Sequence, residues 1–237
     1  MTQRQYGFAA RHDGGWHESW TTARPAPHRL FKFTIVAQAL AAHGLTGRLV
    51  DVGCGSGQLQ EYLASQGWKN PVGIEPSGNP VGRDQLGLEI YNASVAEVLR
   101  RPGMAGAFDV ALAHHVIEHC YDPLGFVFQL RDLLRAGGCV FIATPNMRGA
   151  AMRWKTLASS RGWKRRPFRH LDFPKHVVLF DRENLPRLVR AAGFNVLDVQ
   201  TYTRASGDRT GLRRRFRLWD RLGLGDNVYL VARRPLA

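Results

Sequence analysis

The sequence predicts a single α/β domain with a doubly wound, mostly parallel sheet. Three observations predict it. Short β-branched runs alternate with helical patterns from residue 45 onward, a glycine-rich turn follows the first of these runs, and the chain of 237 residues is 44% hydrophobic. Strand–helix alternation is typical of parallel sheets covered by helices on both faces. The length and the hydrophobic content are enough for one well-filled core.

The elements follow one another along the chain in a regular order. The apolar spacing predicts a first helix at 30–43, ended by Gly44. Strands are predicted at 48–52, 72–75, 88–91, 109–113 and 139–143, with helices at 58–66, 94–100 and 123–136 between them. In the helix at 123–136, Asp122 would be the N-cap and Gly137-Gly138 the stop. A helix at 182–192 capped by Asp181, a strand at 194–201 and a strand at 227–232 complete the series.

The turn after the first strand carries a candidate ligand site. Asp51 comes two residues before a run of alternating glycines, Gly53-Cys54-Gly55-Ser56-Gly57. Glycines are needed where the backbone turns tightly and a ligand comes very close. The dinucleotide fingerprint has the different spacing G-x-G-x-x-G and lacks the acid. A carboxylate at this place favours a positively charged cofactor over a pyrophosphate, which prefers backbone N–H groups.

The next two strands end in polar residues that fit the same ligand. Glu75-Pro76 ends the second strand, where an acid can accept hydrogen bonds from both ribose hydroxyls. Asn92-Ala93 ends the third strand and is placed to contact an adenine edge. Because the glycine turn, Glu75 and Asn92 follow one another at three successive strand ends, we expect them to form one cofactor site rather than a purely structural turn.

These segments resemble the class I S-adenosylmethionine-dependent methyltransferases. The resemblance covers roughly residues 45–235 and is carried by residues 50–57, 73–77, 108–119, 133–146 and 176–194. The last of these is similar to the small-molecule branch related to ubiquinone O-methyltransferases. The resemblance implies a Rossmann-like seven-stranded sheet in the order 3-2-1-4-5-7-6, with strand 7 antiparallel. It also implies S-adenosyl-L-methionine as cofactor, bound by Asp51, Gly53, Cys54, Gly55, Gly57, Glu75, Pro76, Asn92, Ala93 and His114.

The sequence departs from its relatives at two places. Many relatives have an acid near the end of the third strand, where this chain has Asn92-Ala93-Ser94. The ubiquinone enzymes have a glutamate in the fourth motif, where this chain has His115. The second departure replaces a residue of the magnesium site in those enzymes, so no metal is assigned here.

A histidine-rich turn follows the fourth strand, whose end faces the transferred methyl group in this fold. It contains His114, His115, Glu118, His119 and Cys120. One interpretation is a general base for a hydroxyl or amine acceptor, with His115 as first choice and His119 and His176 behind it. A second is a metal bound by His115, Glu118 and His119, if that stretch is helical. A third is that the turn only packs around the methionine end of the cofactor.

The charge is distributed very unevenly. Residues 1–146 hold 12 basic and 12 acidic residues, so the whole net charge of +14 lies in residues 147–237. The segments 147–170 and 202–226, which include Arg213–Arg215, leave strand ends on the cofactor edge, and with residues 1–28 we expect them to form a basic lid. Such a lid favours an anionic small molecule or an anionic membrane surface. RNA is a less favoured partner, and a merely solvated face is the plain alternative.

The prediction as a whole is a methyltransferase with an N-terminal arm and helix at 1–44 and a catalytic domain at 45–237. It would methylate an oxygen, or less favourably a nitrogen, of a small acidic or lipid-like metabolite and release S-adenosylhomocysteine. A cofactor-binding or membrane-surface protein without transfer activity is the rival. Three scattered cysteines and no apolar run of membrane-spanning length suggest a cytoplasmic protein, with contact at the inner membrane surface as an option.

Overall fold

The computed structural model describes residues 27–77, 87–163, 165–166, 168–203 and 220–236. The predicted arm before residue 27 and the Arg213–Arg215 cluster lie outside these residues. The helices are α1 (Pro27–Ala42), α2 (Gln58–Ser65), α3 (Val95–Leu99), α4 (Pro123–Leu133), α5 (Ala150–Ser160) and α6 (Asn184–Ala191). The strands are β1 (Leu49–Val52), β2 (Val72–Ile74), β3 (Ile90–Tyr91), β4 (Phe108–His114), β5 (Leu134–Pro145), β6 (Asn195–Tyr202) and β7 (Asn227–Arg233). Short 3-10 turns lie at Ile117–His119 and Arg169–Leu171.

The seven strands form one sheet in the order β3-β2-β1-β4-β5-β7-β6. Strands β1 to β5 are parallel to one another, and β7 runs antiparallel to both β5 and β6. The predicted order and the reversed last strand are therefore confirmed. Because β1, β2 and β4 run side by side in the same direction, their carboxyl ends meet at one edge of the sheet.

Helices cover both faces of the sheet, and a hydrophobic core lies on each side. Along β1, Leu49 packs in the core beneath α1 and α2, whereas Val50 packs in the core beneath α3, α4 and α6. This opposition follows from the two-residue side-chain period of a strand. Both residues are completely buried, which is typical of a parallel sheet enclosed by two helical layers.

The predicted end of α4 is wrong. The helix stops at Leu133 and not at Ala136, and β5 begins at Leu134. Leu134 pairs with Phe108 of β4, and Gly137 and Gly138 exchange backbone hydrogen bonds with Arg234. Pairing with neighbouring strands therefore overrides the helical apolar pattern of this stretch. The predicted N-cap is confirmed, since the Asp122 side chain accepts a hydrogen bond from Gly125 N at 2.9 Å.

The carboxyl end of β5 is fixed by a buried asparagine. The Asn146 side chain is fully buried and donates to the carbonyl oxygens of Gly223 (3.1 Å) and Gly225 (2.7 Å). The chain is thereby held together where β5 ends and β7 begins. Among the described helices, none has the length and apolar character that crossing a bilayer requires.

Candidate functional site

The turn between β1 and α2 has the backbone conformation that the glycine run predicts. Gly53, Gly55 and Gly57 have φ angles of 74°, 57° and 80°, in the left-handed region that favours glycine. A Cβ atom at Gly53 would lie 2.5 Å from Val116 Cγ2, so this turn packs directly against the histidine-rich turn. The glycines therefore bring the ends of β1 and β4 together at the edge of the sheet.

Glu75, at the end of β2, is bonded to this turn. Its carboxylate accepts hydrogen bonds from Gly55 N and Ser77 N, both at 2.9 Å. Its own amide donates to Tyr91 O at 3.0 Å, which places the end of β3 alongside. The predicted neighbours Pro76 and Asn92 are exposed at this edge, and Ala93 is half-buried. The structure thus brings the three strand ends together.

Asp51 and Glu75 form a buried pair of carboxylates. Their exposed fractions are 2% and 8%, and neither makes an ion pair with a basic side chain in the described part of the chain. Burial, together with the charge of Glu75, raises the pKa of Asp51 to about 8. A ligand with a sulfonium and an ammonium would supply the missing positive charge. The site therefore fits the cationic cofactor that the resemblance implies.

The histidine-rich turn begins in a strained conformation. His115 has a φ of 58°, unusual for a residue other than glycine, and its amide donates to Ala143 O at 2.8 Å. The His114 ring stands edge-on to the His115 ring, with centroids 4.6 Å apart. Burial lowers the pKa of His114 well below its usual value, and its buried Nε2 has no hydrogen-bond partner in the described residues.

His115 lies between a carboxylate and a lysine ammonium. Its Nδ1 is 3.1 Å from Glu118 Oε1, and its Nε2 is 3.0 Å from the Nζ of Lys32, a residue of α1. A lysine ammonium can only donate a hydrogen bond, and a carboxylate can only accept one. These partners assign the proton of the neutral ring to Nδ1 and leave the lone pair on Nε2. Burial lowers the pKa of His115, in spite of the opposing hydrogen bond to Glu118.

Glu118 is the buried partner that orients His115. Its side chain is 2% exposed, and its second carboxylate oxygen accepts a hydrogen bond from Thr144 Oγ1 at 3.0 Å. Burial alone would raise the pKa of Glu118, but the hydrogen bond from His115 and the nearby imidazoles outweigh it and lower that pKa. Glu118 is therefore ionised, and it can stabilise a positive charge that forms on His115.

His119 and His176 form a second pair. Their ring centroids are 5.1 Å apart, and His119 Nδ1 lies 2.8 Å from Lys175 O, so Nδ1 carries the proton and donates. The helical arrangement required for a metal on His115, Glu118 and His119 is not found, because the turn is a short 3-10 segment that starts after His115. The group whose ligand atoms lie within 4.8 Å of one another is Glu118, His119 and His176.

A small cavity of about 230 Å³ lies beside this turn. Its polar end is formed by Glu118, Thr144 and His176. The rest of the wall is apolar and comes from β5, α5 and the segment before α6: Pro145, Met147, Met152, Leu171, Val178, Leu179 and Phe180. That volume includes open solvent at the mouth, and the enclosed part has room for about one water molecule, so an acceptor of ordinary size requires the surrounding segments to open.

The arrangement of charges defines the class of protein. Two buried carboxylates beside a left-handed glycine turn, at the edge of a Rossmann-like sheet, fit a positively charged nucleoside such as S-adenosylmethionine. A model of the methyltransferase domain family matches residues 23–199, and the chain belongs to this family. S-adenosyl-L-methionine is the cofactor that this family and the site support.

Individual relatives agree with this assignment. The ubiquinone biosynthesis O-methyltransferase of Ruegeria pomeroyi is 35% identical over 159 residues, which cover 64% of this chain and 61% of that protein. The match thus spans less than two thirds of the relative. Among solved structures, a S-adenosylmethionine-dependent methyltransferase of Thermotoga maritima, described as a possible histamine N-methyltransferase, superposes with a TM-score of 0.63 at 20% identity, covering 87% of this chain and 90% of that one. The [4+2]-cyclase SpnF superposes with a TM-score of 0.59 at 21% identity, covering 98% and 87%.

Two features of the site were not visible in the sequence. Lys32 is 83 residues from His115. In the sequence it is only one polar position of the first predicted helix. The orienting role of Glu118 was also missed, since its spacing to His115 and His119 suggested a metal ligand. Thr144 gave a partial signal, because it stands in the fifth-strand motif at the same sheet edge.

The raised pKa of Asp51 makes cofactor binding depend on pH. Asp51 is protonated at pH 7, and a bound cation favours its carboxylate, so binding should release a proton. We expect the affinity for S-adenosylmethionine to rise about tenfold from pH 6.5 to 8.5, as Asp51 ionises in the free protein. Isothermal titration calorimetry in buffers of different ionisation enthalpy measures both effects.

Asp51→Asn should remove most of this pH dependence and of the proton release. The same substitution at the exposed Asp132 on α4 is the matched control and should behave like the wild type. If Asp51→Asn kept the pH dependence of the wild type, Asp51 would not be the group that responds to the cofactor.

Proposed function

We propose that this enzyme transfers the methyl group to a hydroxyl oxygen, or less favourably to a nitrogen, of a small acidic or lipid-like metabolite. One observation carries the proposal: a neutral imidazole, His115, is fixed by the Glu118 carboxylate at the cofactor edge of the sheet. A hydroxyl acceptor needs a base more than an amine does, because a neutral hydroxyl is a weak nucleophile, whereas a neutral amine can attack through its lone pair and lose its proton afterwards. The similarity to ubiquinone biosynthesis O-methyltransferases supports oxygen as the acceptor atom.

The proposed mechanism assigns a base and an orienting group. When bound, the cofactor would supply a methyl group on a sulfonium for in-line transfer to the acceptor oxygen, with the electron pair of the broken carbon–sulfur bond left on sulfur. The hydroxyl proton passes to Nε2 of His115, and Glu118 stabilises the imidazolium through Nδ1–H, the same division of roles as in an acid–histidine pair of a hydrolase.

The cavity supports an acceptor with an apolar body. Its polar groups lie at one end, at Glu118 and His176, and methionine and aliphatic side chains line the rest. His119 and His176 are the alternative bases, since His176 lines this end and the His119 ring lies next to it. In the described residues, neither ring is hydrogen-bonded to a carboxylate, whereas the His115 ring is oriented by Glu118. His115 therefore remains first choice.

A basic aromatic surface next to the cavity supports contact with an anionic membrane. Trp154 and Trp163 are each 60% exposed, their ring centroids are 6.1 Å apart, and Phe173 is 81% exposed. Around them lie the exposed basic residues Arg153, Lys155, Arg161, Arg165, Arg166 and Arg169. Aromatic rings and cationic side chains together suit the interface of an anionic bilayer. Met152 of the same helix lines the cavity, so a lipid-like acceptor would have a short path from the bilayer.

Replacing His115 should lower turnover far more than replacing His119 or His176. On acceptors that the wild type methylates from a panel of hydroxybenzoates and catechols, we expect His115→Gln to lower kcat by about 10²- to 10⁴-fold, and His119→Gln or His176→Gln to lower it by less than about tenfold. S-adenosylhomocysteine formation measures the rate. Because the base acts as neutral imidazole and its pKa is lowered, kcat should stay constant above pH 6.5 and fall only at lower pH.

A metal-dependent reaction would give a different pattern. Under the proposal, dialysis against a chelator leaves kcat unchanged. Loss of activity on chelation, restored by a divalent metal and accompanied by large effects of His119→Gln and His176→Gln, would favour a metal at Glu118, His119 and His176 and contradict the assignment of His115.

Vesicle binding tests the basic aromatic surface. The protein should co-sediment with vesicles that contain phosphatidylglycerol but not with pure phosphatidylcholine, and binding should weaken as salt rises from about 0.1 to 0.5 M because the Debye length shortens. Trp154→Ser/Trp163→Ser should reduce binding several-fold, whereas Phe128→Ser on α4, also an exposed aromatic, should not. Equal binding to neutral vesicles would contradict the proposal.

A further inference from the structure

The contact between Lys32 and His115 poses a chemical problem. The Lys32 ammonium lies 3.0 Å from the Nε2 atom that would act as the base. A cation at this place occupies the lone pair and opposes protonation of the ring, which is visible in the lowering effect of Lys32 on the pKa of His115. An acceptor hydroxyl can reach Nε2 only if the ammonium moves away.

Lys32 is held close to the site by its helix. The neighbouring residues Phe33, Val36 and Leu40 are buried in the core beneath α1, while Lys32 is half-buried on the side that faces the histidine-rich turn. Its flexible stem allows the ammonium to shift by a few ångströms, but the fixed helix prevents it from leaving the site. The positive charge must therefore stay within reach of any molecule bound at His115.

An anionic group on the acceptor can move the ammonium. A carboxylate beside the hydroxyl would draw the ammonium from Nε2 into an ion pair, and the hydroxyl would take its place on the imidazole. Since the fixed helix keeps Nζ within a few ångströms of Nε2, we expect the acid and the hydroxyl to be close together, as on adjacent atoms of the acceptor skeleton.

We propose that Lys32 and His115 form a two-point subsite for acceptors that carry an acidic group next to the hydroxyl to be methylated. Lys32 binds the acid and His115 binds the hydroxyl. The subsite rests on the proposed function in taking His115 as the base, and it adds a specificity-determining residue from α1. It also accounts for an acidic acceptor by one defined contact rather than by the general charge of the chain.

Binding of small probes tests the subsite directly. Calorimetry on the protein saturated with S-adenosylhomocysteine compares 2-hydroxybenzoate with its neutral isostere 2-hydroxybenzamide, and with 4-hydroxybenzoate, whose acid is remote from the hydroxyl. The wild type should bind 2-hydroxybenzoate at least about tenfold more tightly than either of the others, because a partly buried charge-assisted contact has an effect of this size.

Three variants separate charge from packing. Lys32→Gln keeps a donor for Nε2 but removes the charge, and it should reduce the preference for 2-hydroxybenzoate to about threefold or less. Lys32→Arg keeps the charge and should keep most of the preference. Lys69→Gln, the same substitution at an exposed lysine after α2, should match the wild type. Thermal unfolding verifies that each variant is folded.

The outcomes distinguish this subsite from the base assignment. An unchanged preference in Lys32→Gln, or no preference in the wild type, overturns the subsite. If that occurs while His115→Gln still abolishes turnover, the proposed function stands without it. If the preference depends on Lys32 but His115→Gln turns over normally, the subsite stands and His115 is not the base.

Discussion

The buried carboxylate of Glu118 holds together the segments that form the acceptor side of the site. Its two oxygens bond His115 at the end of β4 and Thr144 at the end of β5, and its backbone carbonyl accepts hydrogen bonds from Val177 N and Val178 N. A charge buried this deeply costs several kcal/mol unless it is fully hydrogen-bonded. The ring orientation of His115, the wall of the cavity and the approach of the segment before α6 all depend on these bonds.

The two halves of the sheet edge carry opposite charge. On the side of β1 and β2, Asp51 and Glu75 are buried acids, and burial raises the pKa of Asp51 to about 8. On the side of β4 and α5, Lys32 and the basic aromatic surface are positive. A cationic cofactor and an anionic acceptor would each find the complementary half, and their meeting point is the histidine-rich turn.

Much of the fold and half of the site could be predicted from local pattern. The glycine turn and Glu75 follow from short motifs, because each needs only a strand end and a few residues after it. The strand order came from the family that these motifs resemble. The end of α4 could not be predicted, since the pairing of Leu134 with Phe108 depends on a neighbouring strand. Lys32 could not be predicted either, because helix packing alone brings it to His115. Glu118 stood in a recognised motif, but its hydrogen bonds, and hence its role, exist only in the folded chain.

The protonation state of His115 is the central claim, and nitrogen NMR of histidine-labelled protein measures it most directly. The account predicts a neutral ring at pH 7 with the proton on Nδ1 and an unprotonated Nε2, and a pKa below 6.5. His115→Gln identifies the resonance. A proton on Nε2, or an imidazolium at pH 7, would contradict the account.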